Sequence, residues 1–160
     1  MIVDFFRHGS GLSKGCIDYL LGEDRERDHA EVLSGDVELT AQLIDSSPFA
    51  KKYTSGCLSF YEHDLSDQDK QQIMQNFEQC LFPGLDQDQY QILWVQHQDK
   101  VNQDTGETRL ELNFVIPNVE LSTGKRLQPF YAPVDIDRVD LFKRITNAEH
   151  KLYDPDDPNN

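Results

Sequence analysis

Positive charge is what this sequence has least of. Fifteen lysines and arginines stand against 29 aspartates and glutamates, a net charge of −14. A chain so acidic lacks the broad basic footprint of most nucleic-acid binders. A few cations and one metal site can still hold a short strand when they are gathered in one place. Cysteine is scarce as well: Cys16, Cys57 and Cys80 are odd in number and lack metal-site spacing. That excludes a disulfide framework and points to reduced thiols and a cytoplasmic setting. No apolar run approaches the length of a membrane span, so no membrane insertion is expected. The opening M-I-V-D-F-F-R-H has no basic segment leading into an extended apolar stretch, so no secretory signal is read.

What is present is a chain with a core. Hydrophobic residues make up 38% of 160 and aromatics 10%, enough for one globular domain. The acidic residues gather at 23–38, at 64–69 and in the tail from Asp154. D-P-D-D-P-N-N reads as a linker, which gives a domain over 1–153 and a linker over 154–160 leading to a further C-terminal region. Residues 2–6 read as a buried strand, 12–21 as a helix stopped by Gly22, 29–33 as a short strand and 37–44 as a helix. The E-D-R-E-R-D run at 23–28 reads as a solvated loop. A strand follows at 53–61, and then a helix that Ser66 opens and Pro83-Gly84 closes. A closing helix covers 134–153. The pattern predicts an α+β fold, a two-layer sandwich in which helices pack on one face of a mostly antiparallel sheet.

The centre of the chain is a hairpin. Residues 90–97 are apolar, aromatic and β-branched, and 109–116 alternate strictly. Leu110, Leu112, Phe114 and Ile116 point one way; Arg109, Glu111, Asn113 and Val115 point the other. If His97 faces Glu111 across the ladder, then His97, Glu111 and Asn113 share one patch. An imidazole, a carboxylate and an amide can hold a divalent cation, with the oxygens favouring Mg²⁺ or Mn²⁺ and the imidazole admitting Zn²⁺ or Ni²⁺. The same alternation also describes an ordinary solvated face. The Glu62-His63-Asp64 trio reads as structural or solvated. Gly9 and Gly11 give a tight turn that also suits close approach by a phosphate. Tyr19 sits at the margin of its helix's apolar face, as a boundary residue or as a nucleophile. Lys125, Arg126 and Tyr131 mix cations with an aromatic, which suits a single strand as well as a surface turn.

These motifs together resemble a known family. The run from His97 through R-L-E-L-N-F-V-I-P to S-T-G-K-R-L-Q-P at Pro129, the G-x-G-x-x-x-G-x-x-x-Y-L run from Gly9 to Leu20, and the ending H-K-L-Y-D-P-D-D-P are similar to the mobilisation relaxases of small colicin-type plasmids. These carry His-Glu-Asn where most relaxases of the HUH type carry three histidines. The resemblance implies that Tyr19 attacks one phosphodiester of single-stranded transfer-origin DNA, leaving a 5′-phosphotyrosyl link and a free 3′ hydroxyl. It also implies a cation held by His97, Glu111 and Asn113. Accessory mobilisation proteins and a conjugation coupling apparatus are the implied partners. Two features depart from the family: the acidic charge, and a longer gap between the histidine and the glutamate. A slip of one residue there would turn Glu111 and Asn113 to the opposite face. No general base is identified, though Asp99 continues the His97 face; Arg7 and Lys14 are candidates to stabilise a phosphate. A non-enzymatic acidic interaction module and a metal-dependent nuclease that uses water remain open alternatives.

Overall fold

A computed structural model describes residues 1–159; Asn160, the last residue of the expected linker, lies outside the described residues. The strands are β1 (Ile2–Phe5), β2 (Ala30–Ser34), β3 (Tyr53–Ser59), β4 (Leu93–Val101) and β5 (Thr108–Pro117). The helices are α1 (Ser13–Leu21), α2 (Val37–Asp45), α3 (Asp67–Leu81) and α4 (Ala132–Glu149). Among the described residues these strands form one sheet in the order β1-β3-β5-β4-β2, antiparallel at every pairing. The α+β class and the antiparallel sheet read from the sequence are both present.

Strict alternation along β5 gives the sheet two different faces. Leu58, Leu110, Leu112, Phe114 and Ile116 pack with Ile73 and Phe77 of α3 and Val139 and Phe142 of α4. Phe77 is the hub, with ring centroids 4.9 Å from Phe114, 5.3 Å from Phe142 and 5.7 Å from Trp94. On the opposite face, Leu93, Val95 and Val115 meet Ile17, Leu20 and Leu21 of α1 and Ile44 of α2. Helices therefore cover both faces, where the sequence led us to expect one covered and one open. The apolar stripe of α1 shows that this helix packs but does not say on which side, and its connection into β2 carries it over the His97 face.

Helix ends are fixed locally. Ser66 caps α3 by accepting from the Asp69 N–H at 3.1 Å, and Asp36 caps α2 from the Leu39 N–H at 2.9 Å. For α1, Asp45 at the end of α2 serves instead, accepting from the Ser13 N–H and hydroxyl at 2.8 Å each. The tail is held to the body: Tyr153 stacks on Tyr61 at 4.3 Å and Lys143 pairs with Asp154 and Asp156. Among the described residues no helix is long and apolar enough to cross a membrane.

Candidate active site

The ladder between β4 and β5 decides which side chains meet. His97 lies directly opposite Glu111, and Val95 opposite Asn113. Further out, Lys100 faces Arg109, so two β4 residues stand against the single Leu110 of β5. This bulge lets His97 and Lys100, three positions apart, face the same side. It also answers the register question posed by the long turn: Glu111 and Asn113 stay on the His97 face. Across β3, Cys57 faces Asn113 and Ser59 faces Glu111.

The trio is buried: His97 is 1% exposed, Glu111 4% and Asn113 2%. The expected open face is closed here by α1. The His97 Nε2 donates to the Leu20 carbonyl of α1 at 2.8 Å, which leaves Nδ1 as the free electron pair. Burial lowers the imidazole's pKa below its usual value, outweighing the carbonyl that favours the charged ring. The Asn113 amide donates to the Val95 carbonyl at 3.3 Å, so its oxygen is the group that can face a cation. Among the described residues the Glu111 carboxylate has only long contacts: Lys100 and Arg109 at 3.6 Å each, and the Cys57 thiol at 3.9 Å. Burial, and then the Glu111 charge, push that thiol up to about 12, so it stays protonated.

One ring nitrogen, one amide oxygen and one weakly partnered carboxylate fit a divalent cation of the harder kind. Among the described residues no group of three His, Cys, Asp or Glu forms a metal cluster. In the trio of His97, Glu111 and Asn113 the third donor is an amide rather than one of those four residue types.

Tyr19 is placed by α1 beside this set. Its ring is half exposed and stands edge-on to the His97 ring, with centroids 6.2 Å apart. A cavity of about 1020 Å³ opens along the same helix, lined by Arg7, Gly9, Gly11, Gly15, Tyr19 and Tyr53, among others. Gly9 has a structural reason to be glycine, since a Cβ there would collide with the Tyr53 carbonyl. Gly11 and Gly15 face open space.

Other candidates lie elsewhere. Lys125 and Arg126 are exposed on the turn beyond β5, which Glu120 braces through Ser122 and Thr123. Tyr131 is the residue before α4, next to Phe130, which stacks on Phe5 at 3.8 Å over the other face. Among the described residues none of these three lines the cavity beside Tyr19. His63 and Asp64 have structural partners: the His63 Nδ1 contacts the Thr108 carbonyl at 2.7 Å, and Asp64 pairs with Lys70 at 2.7 Å. Asp99 is engaged by Arg27 at 2.7 Å. Burial acts to raise its pKa, but the Arg27 bond and charge outweigh that and hold the carboxyl below its usual range. Arg27 itself escaped the sequence reading, which placed it in a solvated charged loop.

Comparison with known proteins gives the class first. No protein-family model and no solved structure matches the chain. Over 158 residues it is 55% identical to a Neisseria gonorrhoeae protein called Cryptic plasmid protein C, covering 99% of this chain and 74% of that one. Over 160 residues it is 51% identical to the DNA relaxase MbeA of Escherichia coli, covering all of this chain and 30% of that one. The class is thus that of relaxases. More narrowly, the chain belongs to the MbeA-like family of plasmid mobilisation relaxases.

Proposed function

We propose that this domain nicks one strand of DNA at a plasmid transfer origin by tyrosine transesterification, and rejoins it after transfer. The observation that carries this reading is the phenol of Tyr19 set edge-on to His97, itself directly opposite Glu111. The Tyr19 oxygen attacks the scissile phosphorus, the bond from phosphorus to the 3′ oxygen breaks, and the phenolic proton is given up to solvent while the departing 3′ oxygen takes one up, so the step is proton-neutral. The products are a phosphotyrosyl bond to the 5′ end and a free 3′ hydroxyl. Attack by a 3′ hydroxyl on the same phosphorus reverses the step, so the energy of the phosphodiester is kept rather than lost to water.

His97, Glu111 and Asn113 would hold a divalent cation, Mg²⁺ or Mn²⁺ before Zn²⁺ or Ni²⁺. When bound, it would neutralise charge that develops on the phosphate oxygens. In this reading Lys100 and Arg109 keep the carboxylate compensated before the cation enters. A cavity beside Tyr19, with Arg7 at its margin, receives the adjoining strand. Gly9 and Gly11 let the backbone come close to that strand. Lys125, Arg126 and Tyr131 are outlying contacts. Accessory mobilisation proteins and a conjugation coupling apparatus would act with the domain in the cytoplasm.

The test is denaturing electrophoresis of the chain after incubation with an origin oligonucleotide and Mn²⁺ or Mg²⁺. A strand that migrates with the protein supports the reading. Cut fragments with no protein-linked strand point to hydrolysis by water. No cleavage with either metal points to a non-enzymatic module.

A further inference from the structure

The loop between α1 and β2, acidic and exposed for most of its length, turns one cation inward. The Arg27 guanidinium lies 5.3 Å from the centroid of the Tyr19 ring. One of its nitrogens donates to the carbonyl of Tyr19 itself, and another bonds Asp99 of β4 at 2.7 Å. The backbone N–H of Arg27 closes the last turn of α1 by donating to the Leu21 carbonyl at 2.8 Å. The loop reaches this geometry through backbone that ordinary residues avoid. Arg25 and His29 both take positive φ, 65° and 59°, on either side of Arg27, and Gly22 takes 84°.

A helix-capping arginine needs only carbonyls. Arg27 does more, gripping one residue at both its backbone and its ring and tying it to a carboxylate two positions beyond His97. The ring it grips is half exposed and otherwise meets the edge-on ring of His97. A flat guanidinium suits this, because its face can sit on an aromatic while its edge donates in two directions.

We infer that Arg27 is a positioning residue for the Tyr19 nucleophile, holding the phenol over the His97 face through a guanidinium anchored on Asp99. This rests on the transesterase reading proposed above. Misplacing a reacting atom by about 1 Å costs on the order of 100-fold in rate, so the grip has a kinetic consequence that mere folding lacks.

The experiment measures single-turnover adduct formation and oligonucleotide affinity side by side in the whole chain. Arg27→Ala is expected to slow the adduct by roughly 10–100-fold while affinity moves less than about threefold. Arg27→Lys keeps the charge but not the fork, and is expected to recover only part of that rate. Asp99→Asn frees the anchor without touching α1 and is expected to slow the adduct less than Arg27→Ala does. A readout independent of the chemistry is the ¹⁹F resonance of 3-fluorotyrosine at position 19, sharp in the parent and broadened or shifted in Arg27→Ala and Asp99→Asn. An unchanged adduct rate in folded Arg27→Ala, a parallel loss of rate and affinity, full recovery with lysine, or an unmoved fluorine resonance would each overturn the inference. A parent chain that forms no adduct overturns the transesterase reading instead, and the fluorine experiment still decides whether Arg27 holds the ring.

Discussion

Under α3 and α4 the sheet shows Leu58, Leu110, Leu112, Phe114 and Ile116, each no more than 1% exposed and none of them polar. Under α1 the same strands show Val95 and Val115, and then His97, Glu111 and Asn113, just as deeply buried. The first face closes by packing aromatic rings, and its buried polar pair, Lys70 of α3 and Gln96 of β4, is satisfied internally at 2.6 Å. The second closes over groups that packing alone does not satisfy, since a buried carboxylate is expensive unless it is paired. Equal burial thus has different meanings on the two sides: the α3–α4 face holds the domain together, and the α1 face stores the polar set that the proposed chemistry would use.

The largest stability effect should come from the packed face. Phe77→Ala removes the ring that Phe5, Trp94, Phe114 and Phe142 all contact and is expected to destabilise by about 3–5 kcal/mol, read as a shift in the urea midpoint. Metal should separate the faces next. Mn²⁺ at about 100 times its dissociation constant is expected to stabilise the parent by about 2.7 kcal/mol, seen as a rise in melting temperature. Glu111→Gln and Asn113→Ala should lose that rise, while Leu112→Ala should melt earlier and keep it. Asp45→Ala removes the borrowed cap of α1 and is expected to cost about 1 kcal/mol. Because α1 carries Tyr19, that variant should also slow adduct formation. Ser66→Ala, a cap of similar size on α3, should leave the adduct rate alone.

A smaller signature is read from pH. His97 is held below its usual pKa of 6.5, so the unfolded chain binds its proton more readily than the folded one. Its contribution is complete above the unfolded value and is lost as pH falls through about 6.5 and below. Calorimetric stability measured between pH 7.5 and 5.5 should fall less steeply in His97→Gln than in the parent. Equal slopes would place the imidazole outside the buried set.

Much of this was legible in the residues. Alternation from Arg109 to Ile116 announced β5 and its two faces, and Ser66 and Pro83-Gly84 bracketed α3. Tyr19, His97, Glu111 and Asn113 stand out in the sequence, and the fold sets Tyr19 edge-on to His97 and His97 opposite Glu111. Three features were not legible, each for a physical reason. The bulge after His97 depends on how the turn at 102–107 closes, and that turn relies on Asn102 bonding the distant Tyr61 carbonyl at 2.8 Å. The placement of α1 over the polar face is a matter of chain path, to which an apolar stripe is blind. Arg27 was hidden because a cation in an acidic loop normally points to water, and only the positive φ values at Arg25 and His29 turn it inward.

The most direct measurement is mass spectrometry of the chain after incubation with its own plasmid's origin strand and Mn²⁺, followed by digestion and peptide mapping. The account expects a nucleotide mass on the peptide that contains Tyr19, absent from Tyr19→Phe although that variant still binds the strand. An adduct that persists in Tyr19→Phe, or that maps to Tyr53, Tyr61 or Tyr131, would contradict it.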